Sequence, residues 1–428
     1  MGRRILRCGN GMTFIVIGTP GDRRVTSFVA AYEAVYGTTP QVVPWTDVLR
    51  TANPPFDRNA EPLLDGTAKS PPHRTAKSPR DRTAEPPFDR NAEPLLDRAA
   101  KPLLDRSAER QLGWGGGLPI GAGDVVRIDS PGEDAEADAL LRGPGDPARV
   151  GGGARWYATF TKALDRIGAT GARLLNDPAE IAVMFDKRRC HALLQASVVP
   201  VPPALPQVEG YDELRARMAE ERLPRVFVKA AHGSSAAGVV ALQTAPGRIK
   251  AVTSVAMTPR GPYNSLRVRT YESERQVAEL IDALAPDGLH VEAWIPKASL
   301  CERVLDLRVV VIAGEATHAV VRTSGHAMTN LHLGGTRGDL GAVREALGED
   351  GWRRALETCE RAAACFPGSL MVGVDLLVGV GWRRLAVAEV NAFGDLLPGL
   401  TGLPGTFADG LDTYTAQARA ALLRNAPA

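Results

Sequence analysis

Short apolar runs punctuated by small-residue turns set out the plan of this chain. Thr13-Phe-Ile-Val-Ile-Gly18 reads as a buried strand, Thr19-Pro-Gly-Asp22 as a turn, residues 25–36 as a helix ending at Gly37, and Gln41-Val-Val-Pro-Trp45 as a second strand. Asp124-Val-Val-Arg-Ile-Asp129 is a third strand, so the chain opens as a βαβ layout. Helices are expected over 133–142 and 155–167. Asn176-Asp-Pro178 supplies a cap and a first-turn proline for another that reaches Asp186-Lys187. Val226-Phe-Val-Lys229 and Val239-Val-Ala-Leu242 are strands around a loop of small residues, and Leu289–Ile295 is a further strand running into Pro296. Residues 304–313 and 316–323 form a hairpin about Gly314-Glu315, and a Gly-rich loop at 333–341 precedes a helix over 350–365. Met371–Val378 and Leu385–Asn391 make a last hairpin, and a helix at 411–423 ends the pattern.

Residues 51–106 interrupt this plan with a tandem octapeptide, from TANPPFDR to AAKPLLDR, in which every copy holds proline. No regular helix runs through such a repeat, and the period of eight matches no solenoid, so 51–110 is expected to be a disordered insertion. With 428 residues and 44% hydrophobic content the rest suffices for two or three globular domains. The net charge of +2 and 5% aromatics argue against nucleic acid as a partner, and no apolar run approaches the ~20 residues of a membrane span. Arg3, Arg4 and Arg7 are followed by no apolar stretch, so a secretory signal is not expected, and Met12 is a natural start for the first strand. Five scattered cysteines without a CxxC pair point to reduced thiols. Only eight lysines accompany 43 arginines, which makes Lys187 and Lys229 conspicuous.

Several stretches carry candidate chemistry. Gly233-Ser234-Ser235-Ala-Ala-Gly238 lies between two strands and could fold over a polyphosphate, although tight hairpins use the same residues. Lys229 sits in an apolar strand, where its charge requires an anion unless it faces outward from an edge. Asp306 and Arg308 share a strand face with Arg322 roughly opposite, either an anion site or an ion-pair ladder. In the last hairpin, pairing Leu377 with Val387 places Asp375 opposite Glu389, with Asn391 on the same face. That trio is either the polar edge of an ordinary sheet or an oxygen-only site suited to Mg²⁺.

The order Lys187, Lys229, small-residue loop, Val291-Glu292-x-x-Ile295, Asp306-x-Arg308, Arg322, Asn330-x-His332-x-Gly-Gly335, Val374-Asp375 and Glu389-x-Asn391 resembles the ATP-grasp superfamily over 176–400. The likeness is above all to the ribosomal-protein glutamate ligase and glutathione synthetase-like branches. It implies a bacterial, cytoplasmic ligase. The implied fold is an α/β pre-ATP-grasp domain at 12–150, interrupted by 51–110, then two α+β subdomains clasping ATP: linking helices and a lid over 151–295, and 296–428 with the metal site. It implies that Lys187, Lys229, Gly233, Ser234, Ser235, Gly238, Glu292, Trp294, Ile295, Asn330 and His332 bind ATP, with the backbone of 293–295 on the adenine edge. Arg308 and Arg322 would be catalytic, and Asp375, Glu389 and Asn391 would hold Mg²⁺, for which Mn²⁺ could substitute. The implied activity joins a small-molecule or peptide carboxylate to an amine or thiol through an acyl phosphate, with a homodimer compatible. Kinase-like transfer and a non-catalytic ATP-binding accessory protein are the alternatives. Two departures stand out. Lys297-Ala-Ser299 replaces the acid that usually meets the ribose, leaving Ser299 or Glu302 as candidates. Ala392-Phe-Gly-Asp-Leu-Leu-Pro398 replaces a short turn and is expected to shape the acceptor side.

Overall fold

Aspartates start most of the helices, and two sheet types carry the chain between them. The computed structural model describes residues 13–52, 118–132, 134–233, 238–331 and 334–423. Residues 1–11, the repeat from position 53 onward, and Ser234, Ser235 and His332 lie outside the described residues. The first half runs β1 (Phe14–Gly18), α1 (Arg23–Tyr36), β2 (Gln41–Pro44), α2 (Trp45–Ala52), β3 (Val125–Ile128), α3 (Ala135–Arg142), α4 (Gly153–Gly168), β4 (Arg173–Leu174), α5 (Pro178–Phe185), α6 (Lys187–Ala196) and α7 (Tyr211–Glu220). The second runs β5 (Arg225–Ala230), β6 (Val240–Ala245), β7 (Arg248–Thr258), β8 (Gly261–Tyr271), α8 (Glu274–Leu284), β9 (Leu289–Ala293), β10 (Ser299–Leu300), β11 (Arg303–Ile312), β12 (Glu315–Ser324), β13 (Thr336–Arg337), α9 (Leu340–Ala363), β14 (Met371–Val378), β15 (Leu385–Asn391) and α10 (Thr413–Leu423). Asp22, Asp134, Asp177 and Asp186 cap α1, α3, α5 and α6, each accepting first-turn N–H groups.

The βαβ opening becomes a parallel sheet in the order β2-β1-β3-β4, with Ile15 and Ile17 beside Val126 and Ile128. The inner strands β1 and β3 are buried on both faces, as crossover connections demand. The other two sheets are antiparallel: β8-β7-β6-β5-β9, and β13-β12-β11-β14-β15 with β10 on β11. One face of the five-stranded sheet (Val226, Val228, Val240, Leu242, Val291) packs with α7 and α8 in a core of its own. One face of the six-stranded sheet (Leu305, Leu307, Val309, Val374, Leu376) joins Trp352, Ala355 and Cys359 of α9 in the main core. Its other face changes character along its length. Val310, Ile312 and Val320 pack with α1 and α10, while the opposite end carries charge. The chain is thus α/β at its start and α+β beyond.

Several boundaries moved. Trp45 opens α2 instead of closing the second strand, its indole fully buried with Nε1–H donating to Asp129 O at 2.8 Å. The expected helix at 350–365 begins at Leu340, because Asp339 caps it and Gly348 (φ 67°) kinks it without ending it. The loop expected at 333–341 includes the short strand β13. The strand through Ile295 stops at Ala293, where Trp294 N–H turns to Arg225 O. Strands β7 and β8 and helices α7 and α8 had no counterpart in the apolar pattern. Strand β7 mixes Lys250, Thr253 and Ser254 with its apolar positions, so period-two alternation is faint.

Candidate functional site

The charged end of the six-stranded sheet depends on a one-residue bulge. Val378, Leu377 and Leu376 pair with Leu385, Ala386 and Val387, yet Asp375 pairs with Glu389, so Ala388 is the extra residue. Leu377 therefore faces Ala386 and not Val387, a correction to the simple register. Without the bulge Glu389 would point into the α9 core. With it, Glu389 joins Asp375 and Asn391 on the opposite face. The row continues across β14 and β11, where Asp375 pairs with Arg308, and the next row sets Leu377, Asp306, Arg322 and Arg337 side by side.

These rows form a continuous ion network. Arg308 grips Asp375 through Nε and Nη2, the latter at 3.0 Å, and Arg322 Nη2 reaches the same carboxylate at 3.1 Å. Arg322 Nε donates to Asp306 at 2.8 Å, and Lys297 Nζ meets Asp306 at 2.9 Å and Thr329 Oγ1 at 2.8 Å. Burial pushes the Asp375 carboxyl up, but Arg308 and then Arg322 pull it further down, below the usual range. Asp306 is likewise lowered, burial being outweighed by Arg322 and Lys297.

A second polar wall comes from the five-stranded sheet. Lys229 and Phe227 on β5, and His290 and Glu292 on β9, share the face turned away from its core. Lys229 Nζ meets Glu292 at 2.6 Å, and His290 Nε2 lies 3.2 Å from the other carboxylate oxygen. Burial would raise Glu292, but Lys229 and His290 bring it down to about 2. Burial would lower Lys229, but Glu292 and then Glu389 and Asp375 of the other sheet hold it up. Lys187 closes the gap. As the first residue of α6 it donates its backbone N–H to Ala231 O at 3.0 Å, while Nζ reaches Glu389 at 2.9 Å and Gly233 O at 2.7 Å. Beside these groups lies a void of about 10 Å³ between Lys187, Cys190, His191, His290 and Glu389. The larger groove, about 780 Å³ between Arg354, Arg361 and Arg383, lies by α9 on the other side of the sheet and has no part in this chemistry.

Ile295, Leu377 and Ala386 form a small apolar cluster next to the rows, with Ala388 against it. Trp294 packs on Phe227 with ring centroids 5.2 Å apart. Of the hinge backbone expected to read a base, Ala293 N–H already donates to Pro203 O at 2.7 Å and Trp294 N–H to Arg225 O at 3.1 Å, which leaves that of Ile295. Gly238 adopts φ 73° and is buried at the end of the loop. Asn330 O accepts Gly335 N–H at 3.2 Å, closing its turn.

The segment after Asn391 does not line an acceptor surface at Asp395, which is fully buried. Asp395 pairs with Arg24 at 2.9 Å and Arg127 at 2.8 Å and accepts from Gln417 Nε2 at 3.0 Å. The tie draws the segment inward, and Gly394 lies flat on Gly373: a Cβ on either would stand 2.7 Å from the other's Cα. Gly394 O also receives Arg308 Nη1 at 3.4 Å. Sequence reading missed Lys297 and His290 as members of the site. A lysine among so few was the available signal for Lys297, but His290 had none.

Among the described residues no three His, Cys, Asp or Glu side chains are grouped to hold a metal. Asp375 and Glu389 supply two carboxylates, and Asn391 Nδ2 donates to Gly373 O at 3.2 Å, which leaves the amide oxygen as the third donor. Two carboxylates and an amide oxygen on one face fit a hard cation that completes its shell with phosphate and water.

No family model matches the chain, and no curated protein does. Among solved structures it is similar to the ATP-grasp ligase PsnB complexed with minimal precursor, at 17% identity over 96% of this chain and 99% of that one, with a TM-score of 0.48. It is also similar to the D-cycloserine synthetase DcsG (16% identity, 95% and 98%, TM-score 0.47). A third is the macrocyclase MdnC bound with precursor peptide MdnA from Microcystis aeruginosa MRC (12%, 96% and 99%, TM-score 0.45). At these scores the likenesses carry no inference about this chain's residues. No helix among the described residues is long and apolar enough to cross a membrane.

Proposed function

We propose that this chain is an ATP-grasp ligase that uses Mg·ATP to activate a carboxylate as its acyl phosphate and passes the acyl group to an amine or thiol. One observation carries the reading: five cations from two sheets, α6 and the segment before β10 (Lys187, Lys229, Lys297, Arg308, Arg322) converge on Asp375, Glu389, Glu292 and Asp306. In this reading residues 12–150, without 51–110, form the supporting domain, 151–295 the linking helices and lid, and 296–428 the metal-bearing half.

The cluster of Ile295, Leu377 and Ala386 seats the base, with Ile295 N–H turned to its edge. Lys187 and Lys229 orient the phosphates. Asp375, Glu389 and Asn391 hold magnesium, which when bound offsets charge on the phosphoryl group. Arg308 and Arg322 fork onto the transferring phosphoryl oxygens and the carboxylate, then steady the oxyanion formed when the amine attacks. No side-chain nucleophile is needed. Water must be kept from the acyl phosphate, and two sheets closing on each other do that.

Incubation with Mg·ATP and mixed acid and amine pools, with ADP and phosphate measured, tests this. Ligation gives an amine-dependent release of both. Amine-independent ADP formation without phosphate would mean a kinase, and no turnover an accessory protein. Glu389→Ala should abolish ADP release while far-UV circular dichroism is unchanged, and full turnover in that variant would defeat the metal assignment.

A further inference from the structure

The same side chains that the proposed reading gives to phosphate are, in this structure, clamped on those it gives to metal. Both oxygens of Asp375 are covered: Oδ1 by Arg308 Nε, Oδ2 by Arg308 Nη2 at 3.0 Å and Arg322 Nη2 at 3.1 Å. Glu389 Oε1 is covered by Lys187 Nζ at 2.9 Å. Resting on the reading of Mg·ATP binding above, we propose that the two half-sites block each other, so that nucleotide and metal bind only as a pair.

The physics is a partner exchange. Asp375 is 7% exposed, and removing its guanidiniums without replacement leaves a bare buried charge. Nucleotide arriving alone draws Arg308 and Arg322 away and strands Asp375. Metal arriving alone has to displace two guanidiniums, of which only Arg322 keeps another anion, Asp306. Arriving together they satisfy every group, because phosphate takes the arginines as the cation takes the carboxylates. The two arginines are not equivalent. Arg322 keeps Asp306 at 2.8 Å when it releases Asp375, and Asp306 is steadied by Lys297 and Thr329. Among the described residues Arg308 has Asp375 and, at 3.4 Å, the Gly394 carbonyl. Arg308 is therefore the arm that changes partner, and Arg322 the post.

Calorimetric titration of the full chain tests this with three probes: AMPPNP in EDTA, MgCl₂ alone, and both together. In the wild type the pair should bind about a hundredfold tighter than AMPPNP in EDTA, at the upper end of ordinary coupling between sites. MgCl₂ alone should give no measurable heat at millimolar concentration. Asp375→Asn keeps the shape but releases both arginines. It should bind AMPPNP in EDTA about tenfold tighter than the wild type, a gain on removing a site residue, with added Mg²⁺ no longer helping. Arg308→Gln should do the reverse and let MgCl₂ bind alone. Asp375→Asn binding metal-free AMPPNP no tighter than the wild type would overturn the exchange. Should that variant not fold, unchanged Mg²⁺ binding in Arg308→Gln would do so. A wild type that binds AMPPNP neither in EDTA nor with Mg²⁺ would instead overturn the proposed function.

Discussion

Asp395→Ala should be among the most damaging single changes outside the candidate site, and its cost can be worked out group by group. Two cations, Arg24 and Arg127, face two carboxylates, Asp395 and Asp129, so the cluster is electrically balanced. Removing Asp395 leaves one positive charge in excess. Breaking a buried pair from one side costs ~3–5 kcal/mol. Two features place this case at the low end. Arg24 has a side chain 24% exposed and can swing to water, and Arg127 keeps Asp129 at 3.3 Å and the Gln417 amide. A loss of ~3 kcal/mol is therefore expected in urea unfolding at pH 7.5. Arg127→Leu combined with Asp395→Leu should recover only part of it, because the apolar pair replaces one buried ion pair but leaves buried Asp129 without Arg127. A loss below ~1 kcal/mol, the value of a surface pair, would show that water reaches this cluster and would refute the reasoning.

Gly373→Ala puts a Cβ 2.7 Å from the backbone of Gly394, so it should cost ~1–3 kcal/mol by overpacking and weaken Mg·ATP binding through Arg308 and Asn391. Melting curves and a nucleotide titration would check both, and a variant with neither effect would show that the loop shifts freely. Burial lowers the pKa of His232, His290 and His318 below their ordinary 6.5. The unfolded chain therefore takes up protons first below pH 6.5, and stability should fall on acidification by up to ~1.4 kcal/mol per unit for each histidine. Glu292, lowered to about 2, keeps its contribution until the pH drops below about 4.5, so a decline between 6.5 and 5 belongs to the histidines. His318→Gln should flatten that decline, and an unchanged slope would exclude His318 from it. Burial pushes the Cys190 thiol up to about 12, so a thiol reagent at neutral pH should label exposed Cys301 and leave Cys190 until unfolding.

The apolar pattern exposed those elements whose burial is one-sided or complete. Strands β1, β3, β11 and β14 are largely or wholly buried and rich in Val, Leu and Ile, and were plain in the sequence. Strand β8 is bulged against β7, so the short alternation of Arg267 and Arg269 with their apolar neighbours breaks off before Asn264 and never spans the strand. Helix α9 was legible only past Gly348, because a glycine with φ 67° looks like a stop where it is a kink held from both sides.

The site was legible to the level of residues and no further, and the reason lies in the pairing. Asp375 beside Arg308 and Arg322 has one sequence signature whether the carboxylate holds a metal or an arginine. Both uses need an acid on the charged face of β14 and bases two residues apart or across a hairpin on β11 and β12. What sequence could not supply was the bulge at Ala388. Continued without a break from the pair of Leu377 and Ala386, the register would set Asp375 opposite Ala388 and turn Glu389 to the core. Removing Ala388 should therefore spare the site, since Val387 would be followed directly by Glu389 opposite Asp375 and Asn391 would stay opposite Gly373, whereas replacing Glu389 removes a ligand outright. A deletion variant that folds yet no longer binds Mg·ATP would show that the site needs the bulge itself and more than a shared face.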